Sequence, residues 1–536
     1  MNNSTITCPH CGSVNVASAR FCSNCGSPLT VTPPQPIPSH PASPRTGRTL
    51  VIVLAAIVLI AALGLLIHSA ATSTGLFTPA ATATPTATAT LLPTPTPVGI
   101  SPDQDLTALI AGAADGDTLT LAAGTFTLTK GLTIDKNLTL VGAGYDQTTI
   151  TSALPDPDAS TVFFYTGTGK LTFKSLTLSY TGSDPAALIA AKSGTLELQD
   201  CYLKGATLSS KGNQLGTIQI INDAAVLIRN CHIEGNTAAA PKDNPQKVPG
   251  GIIISNNAKA TIEDSEIFAS YLGIYASGST DLTLTNTTIR STYSGVTLLE
   301  NATASIQGNT FQDNTQSSLT FFNSSKAVVT GNTVSGTADS LGIDVTGNAN
   351  VALSNNKISR VLGAIVFSDS ATGTADSNQI TGFSNVGITV NSSASPELSQ
   401  NAINSPSADN GIGITYNGNS AGSAHDNRLA DLYLGISVSE QAAPLLQSNQ
   451  ISTCQTGMSF TDDSASAVKS NTIQADQVGI MISSPAHPSL TDNDITAYLQ
   501  AIMTEPDSWL AQIISTGNTT HDGPPIVKIS TFTPEP

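Results

Sequence analysis

Charge and aromatic rings are both scarce in this chain. Of 536 residues, 11% are charged and 5% are aromatic, with one tryptophan. That supply is too thin for the solvated faces and ring-filled core of a large helical enzyme. The abundance of Gly, Ser, Thr, Asn and Ala suits regular β structure with many turns. Positive charge is scarcer still. Residues 1–100 contain Arg20, Arg45 and Arg48 and no Asp or Glu, so residues 101–536 hold 18 basic against 38 acidic side chains, a balance of −20. An acidic surface repels phosphate backbones, which excludes nucleic acid as an expected partner. Beyond residue 25 cysteine is nearly absent. Cys201, Cys231 and Cys454 stand far apart, so no disulfide framework is expected.

The other four cysteines crowd into CPHCGSVNVASARFCSNCG, where Cys8, Cys11, Cys22 and Cys25 form two Cys-x-x-Cys pairs. Each pair, with a Gly behind it, makes a turn presenting two thiolates. Four thiolates complete a tetrahedral zinc shell and leave no open position, so the zinc expected in this segment, residues 1–27, is structural. A stretch this short has almost no apolar core, so the metal must supply its folding energy. His10 lies between the ligands as a bystander. The segment closely resembles the small zinc-ribbon domains at the head of many prokaryotic membrane proteins.

Three segments without a core follow. Residues 28–49 are a Pro-rich linker ending in Arg45 and Arg48. Residues 50–67, LVIVLAAIVLIAALGLLI, are uncharged. At about 1.5 Å per residue they span about 27 Å, enough for the hydrocarbon core of a bilayer. Arginines precede the run and no Lys or Arg follows until Lys130. The positive-inside rule then places the N-terminus in the cytoplasm and the long remainder outside. The expectation is a single-pass cell-membrane anchor. Residues 68–100, rich in Thr, Pro and Ala, read as an extended stalk.

From 101 to 530 the chain is periodic, ahead of a short tail, 531–536. The unit is Asn-x-Ile, with a Gly-hydrophobe pair about eight residues after the Asn. Asn309, Asn332, Asn356, Asn378, Asn401, Asn427, Asn449, Asn471 and Asn493 follow one another at steps of 22 to 26. Upstream the same slot holds Cys201, Cys231, Ser265 and Thr287. Short alternating runs at this period, with no helical run, mean a solenoid of strands whose stacked coils share one core. The fold class expected is all-β, a right-handed parallel β-helix of roughly fifteen coils, about 70 Å long at about 4.8 Å per coil. A short amphipathic helix from Asp105 to about Ala114, with Leu106, Leu109, Ile110 and Ala113 on one face, would plug the open end. This entrance resembles the start of pectin-lyase-like right-handed β-helix proteins. The later coils are similar to the repeats of carbohydrate-binding and sugar-hydrolase β-helix proteins.

Strand alternation turns the Ile inward, and the Asn two residues before it inward as well. The row of Asn is therefore read as a structural ladder of amides, not a repeated binding site. Adjacent rungs Cys201 and Cys231 are either a disulfide or two free thiols. Asp462-Asp463 reads as a turn, and the Met481 and Met503 column as core-edge packing.

The resemblance implies outward-facing strand residues as the place for chemistry. The Asp-Pro-His-Glu motif of alginate epimerases is absent, as are the Gly-His-Gly and Arg-Ile-Lys elements of polygalacturonases. The best cluster lies in the long coils. Arg229 and Glu263 share one outward column, and Tyr202, His232 and Glu266 share the next. These coils also carry two insertions with Lys204, Lys211, Lys242 and Lys247. Arg229, His232, Glu263 and Glu266 are the catalytic candidates. Tyr202, Lys211, Lys242 and Lys247 are the substrate-binding candidates. Three functions stay open: a membrane-anchored extracytoplasmic module or surface scaffold that binds polysaccharide; a polysaccharide lyase, epimerase or hydrolase; and an adhesion or protein-interaction rod. The cytoplasmic partner of the zinc ribbon is unspecified by the sequence.

Elemental analysis of the purified full chain should find one zinc per chain, lost in Cys22→Ser; a metal-free wild type would overturn the zinc assignment.

Overall fold

The computed structural model describes residues 5–7, 14–16, 99–156, 159–206, 216–235, 250–405 and 411–523. In the N-terminal unit, strands Thr5–Thr7 and Val14–Val16 pair antiparallel, Thr7 opposite Val14. The four N-terminal cysteines, the linker, the apolar run 50–67 and the stalk to residue 98 lie outside the described residues. Among the described residues no helix is long and apolar enough to cross a membrane.

The second unit is a solenoid of about sixteen turns. Each turn contributes one strand to each of three parallel walls. In one turn these are Lys259–Glu263 on wall A, Glu266–Phe268 on wall B and Leu272–Ala276 on wall C. Each strand pairs in parallel with the same strand of the turns before and after it. Glu263, for example, lies between Arg229 and Thr285. Wall A is an open ladder from Asp117–Thr120 to Ile514–Thr516. The inward slots hold one continuous apolar core. On wall B it runs through Ile233, Ile267, Ile289 and Phe311, all fully buried. A single coil cannot bury such a face alone, so neighbouring turns supply it.

The corner from wall A to wall B explains the Asn repeat. Its first residue takes a left-handed conformation in turn after turn, as at Asp200, Asn230, Asp264, Asn286, Asn355 and Asp426. Asn and Asp tolerate this backbone best among side-chain-bearing residues. The next residue is the rung, buried and turned inward. Its backbone N–H cannot reach a strand partner. It donates instead to the rung side chain of the following turn: Asn378 to Asn401 Oδ1 at 3.0 Å, and Asn401 to Asn427 Oδ1 at 3.0 Å. Each amide Nδ2 donates onward too, Asn401 to Asn427 Oδ1 at 2.9 Å, and back to a wall A carbonyl, Ala375 at 2.7 Å. The series continues past Asn493 to Asn518, a rung the period alone missed.

The same rule accounts for the upstream occupants. Cys201 N–H donates to Cys231 Sγ at 3.4 Å, Cys231 N–H to Ser265 Oγ at 3.1 Å, and Thr287 N–H to Asn309 Oδ1 at 2.9 Å. Cys, Ser and Thr substitute for Asn because each carries an acceptor one atom beyond Cβ, not merely because they are small. Cys201 and Cys231 are free thiols, which settles the alternative in favour of an unbridged pair. Burial pushes the Cys201 thiol well up, reinforced by Cys231, as expected of an inert structural thiol.

The entrance helix runs from Leu106 to Gly112, with Asp105 as its cap accepting from Ala108 N–H. Leu106, Thr107 and Ile110 are buried; Ala113 lies just past its end. Asp462 occupies a left-handed turn between walls C and A, as expected. Cys454 lies within a continuous strand, Gln450–Phe460, that joins walls B and C through a register shift on either side of Cys454.

Asn401→Ala strands a buried backbone N–H and an amide, and should destabilise the solenoid by about 2–4 kcal/mol. Asn401→Thr, which keeps an acceptor in place, should cost less. Urea unfolding followed by circular dichroism checks both; an Ala variant as stable as wild type would refute the ladder's role.

Candidate functional site

Parallel register decides which side chains can meet. Arg229 lies opposite Glu263 on wall A, with its Nε 2.9 Å from Glu263 Oε2. Around the corner on wall B, Tyr202, His232 and Glu266 fall in one outward slot in consecutive turns. His232 Nδ1 is 3.0 Å from Glu266 Oε2. The columns read from the sequence are therefore present, and each holds a direct contact.

The structure adds partners that the sequence reading passed over. Wall B has a second outward slot, two residues along, occupied by Lys204, Glu234, Phe268 and Arg290. Arg290 Nε reaches Glu266 Oε1 at 2.6 Å, and its guanidinium lies over the Phe268 ring at 4.6 Å. The Tyr202 hydroxyl donates to Glu234, and Lys204 Nζ sits 5.2 Å from the Tyr202 ring centre. The Tyr145 ring comes within 5.6 Å of His232, and the Tyr202 ring within 6.1 Å. Reading every second residue of the Tyr-x-Lys, His-x-Glu, Glu-x-Phe and Thr-x-Arg strands would have found the second slot. Tyr145 lies in an earlier turn and had no sequence signal. Lys211, Lys242 and Lys247 lie outside the described residues. The anchors of their insertions, Ala206 to Gly216 and Gly235 to Gly250, open at the same corner between walls B and C in consecutive turns.

Electrostatics favours a fixed surface over a proton-transfer centre. Burial alone would raise the Glu266 carboxyl. Hydrogen bonds from Arg290 and His232, with their charges, outweigh it and hold the carboxyl below its ordinary range. An ionised, doubly bonded carboxylate is a poor general acid. Burial, and then Glu234, push the Tyr202 hydroxyl up to about 12, too high for a base near neutrality. The remaining chemical opportunity is His232, oriented by Glu266 with its other ring nitrogen unassigned to that contact.

Wall C carries less. Its central outward slot runs from Ile253 through Tyr275 to Met481 and Met503, and Asp344 is its one charged residue. No acid–base cluster forms there. Met481 and Met503 do stack in register, while His487 Nδ1 faces the Pro485 carbonyl. Among the described residues no group of three His, Cys, Asp or Glu side chains could hold a metal ion.

A second polar group lies further along. His425, at the end of its wall A strand, bonds Asp426 Oδ2 through Nδ1 at 2.9 Å and Glu397 Oε1 through Nε2 at 3.0 Å. Hydrogen bonds to Asp426 and then Glu397 raise its pKa against the opposing effect of burial. With both ring nitrogens facing carboxylates, the imidazolium is the form that satisfies them. Beside it, Gln400, Ala402, Asp426, Arg428, Ser448 and Gln450 line a groove of about 380 Å³.

The repeats match the family of right-handed β-helix regions in three overlapping segments, 161–290, 250–403 and 365–513. Residues 4–30 match a domain of unknown function. No curated protein sequence matches the chain. Among solved structures, the Dettilon tailspike protein is 14% identical over 64% of this chain, with a TM-score of 0.41. The match spans just under two thirds of the tailspike's length, 66%. A periplasmic alginate epimerase is 11% identical over 65% of this chain and 77% of its own, with a TM-score of 0.30. PfbA, a surface adhesin of Streptococcus pneumoniae, is 13% identical over 75% of this chain and 91% of its own, at 0.33.

His425 gives a pH signature. Its raised folded pKa contributes stability that is fully present below the unfolded value of about 6.5 and is lost as pH rises through the folded value. The carboxylate partners are more than half exposed, so screening keeps the effect under about 1 kcal/mol. Wild type should exceed His425→Gln in melting temperature at pH 5.5 and converge with it by pH 8.5; a gap that is independent of pH would contradict the pairing.

Proposed function

The chain belongs to the right-handed β-helix family, and from that premise we propose that it binds polysaccharide on the outer face of wall B. The observation that carries the reading is the cluster of Tyr145, Tyr202, His232, Glu266, Phe268 and Arg290. Sugar rings present apolar C–H faces and a rim of hydroxyls. Tyrosine offers a flat apolar body with a polar tip. Arg290 and Glu266 offer planar, mutually fixed hydrogen-bonding groups. These side chains are already ordered by contacts to one another, which lowers the entropy lost when a ligand binds. The anchors of the two insertions whose sequences hold Lys211, Lys242 and Lys247 follow the wall B strands of the cluster.

The N-terminal parts fit this reading as a delivery system. Cys8 and Cys11 fall in the connection between the paired strands Thr5–Thr7 and Val14–Val16, an arrangement suited to a zinc-binding turn completed by Cys22 and Cys25. The run 50–67 would anchor the protein in the cell membrane, with the β-helix held outside on its Thr/Pro stalk.

One observation favours a second reading, a lyase, epimerase or hydrolase. The His232–Glu266–Arg290 relay orients an imidazole as a catalytic base requires. A polysaccharide panel separates the two. Binding and the release of reducing ends or unsaturated products are scored together. Binding that weakens about tenfold or more in Tyr202→Ala, without turnover, is the expected result. Product release that disappears in His232→Ala would replace the binding reading with the enzymatic one.

A further inference from the structure

Wall B is unusual for so acidic a domain. From Thr288 to Thr472 its first outward slot passes through nine consecutive turns without an Asp or Glu. The second slot, from Arg290 to Gln474, has none either. Hydroxyls and amides fill most positions, and the charges present are Arg290, Lys357 and Arg428. Residues 101–536 hold 38 acidic side chains, yet this strip carries only cations.

Arg428 stands apart from the other arginines of the solenoid. Arg229, Arg290 and Arg360 each pair with a carboxylate. Among the described residues Arg428 makes no ion pair, and it lines the groove. Register places Ala402 on one side of it and Gln450 on the other. Gln400, Ala402 and Gln450 line the groove with it. One carboxylate, Asp426, also lines the groove, and its Oδ2 is held by His425 Nδ1 at 2.9 Å. Arg428 is the one cation among the groove's lining residues, and its guanidinium is a planar fork suited to a carboxylate or a sulfate. A volume of about 380 Å³ is that of a small-ligand site.

We propose that the Arg428 groove is an anion subsite that selects acidic glycans, holding the carboxylate of a uronic acid unit on Arg428 while the acid-free strip of wall B carries the rest of the chain. The inference rests on the polysaccharide reading above and names its substrate class. Glu266 and Arg428 share the first slot, seven turns apart. At about 4.8 Å per turn that is about 34 Å, so one extended chain can touch both regions.

The test compares polygalacturonate with the same polymer after its carboxyls have been reduced to neutral alcohols. Both are titrated against the full-length chain in detergent at low salt. Wild type should bind the acidic form about tenfold or more tightly, with a preference that shrinks as salt rises. Arg428→Gln should lose that preference and keep its affinity for the neutral polymer, which also shows that the variant is folded. Equal binding of the two polymers by wild type would overturn the subsite and leave polysaccharide binding intact. So would a preference that persists in Arg428→Gln. If neither polymer binds, the polysaccharide reading and the subsite both fall.

Discussion

A strand that turns a sharp corner loses its backbone partners, and this protein must solve that problem once per coil at the junction of walls A and B. The solution is the rung. A buried side chain with an acceptor one or two atoms beyond Cβ receives the orphaned N–H from the preceding turn. Leaving such a group unpaired would cost about 1–3 kcal/mol in each turn. Because every rung serves the turn before it, the corner is satisfied only when the coils are stacked in register. That register then fixes which inward residues form the core and which outward residues become neighbours.

The outward surface inherits this order. Arg229 meets Glu263, and His232 meets Glu266, because the rungs Cys231 and Ser265 between them lie one above the other. The two strands of such a pair are separated by 34 residues of chain, much of it outside the described coils. Insertions of this kind leave the stack undisturbed, since they emerge between walls and never enter a rung. A rigid wall with variable loops at its corner can change its ligand without changing its core.

Charge is distributed with the same economy. Among the described residues Arg229, Arg290 and Arg360 are tied to carboxylates of other turns, which holds partly exposed side chains in fixed arrangements. The cluster around Glu266 is of that kind, and it behaves as a preformed surface more than as a reservoir of protons. Among the described arginines of the solenoid Arg428 is the exception, with no ion pair and with an acid-free strip around it. Wall B thus carries both a cluster of mutually paired groups and an arginine without an ion pair among the described residues.

Much of this was legible from the chain alone, because a solenoid writes its geometry as a period. The steps of 22 to 26 residues fixed the parallel coils and the inward Ile and Asn, and the rungs Cys231 and Ser265 carried that register into the longer coils, putting Arg229 with Glu263 and His232 with Glu266 in shared outward columns. Alternation is a local property, so two residues apart along a strand means the same face. What the sequence could not decide was anything set across turns by side-chain reach. Arg290 closing on Glu266, Tyr145 approaching His232, Glu234 holding Tyr202 and His425 bridging two carboxylates all depend on rotamers and corner geometry. So does the absence of an ion pair for Arg428 among the described residues. The period determined the wall. Only the packed structure determined which charges on it are spent on each other and which stay without an ion pair among the described residues, because pairing depends on distances in space that no spacing along the chain encodes.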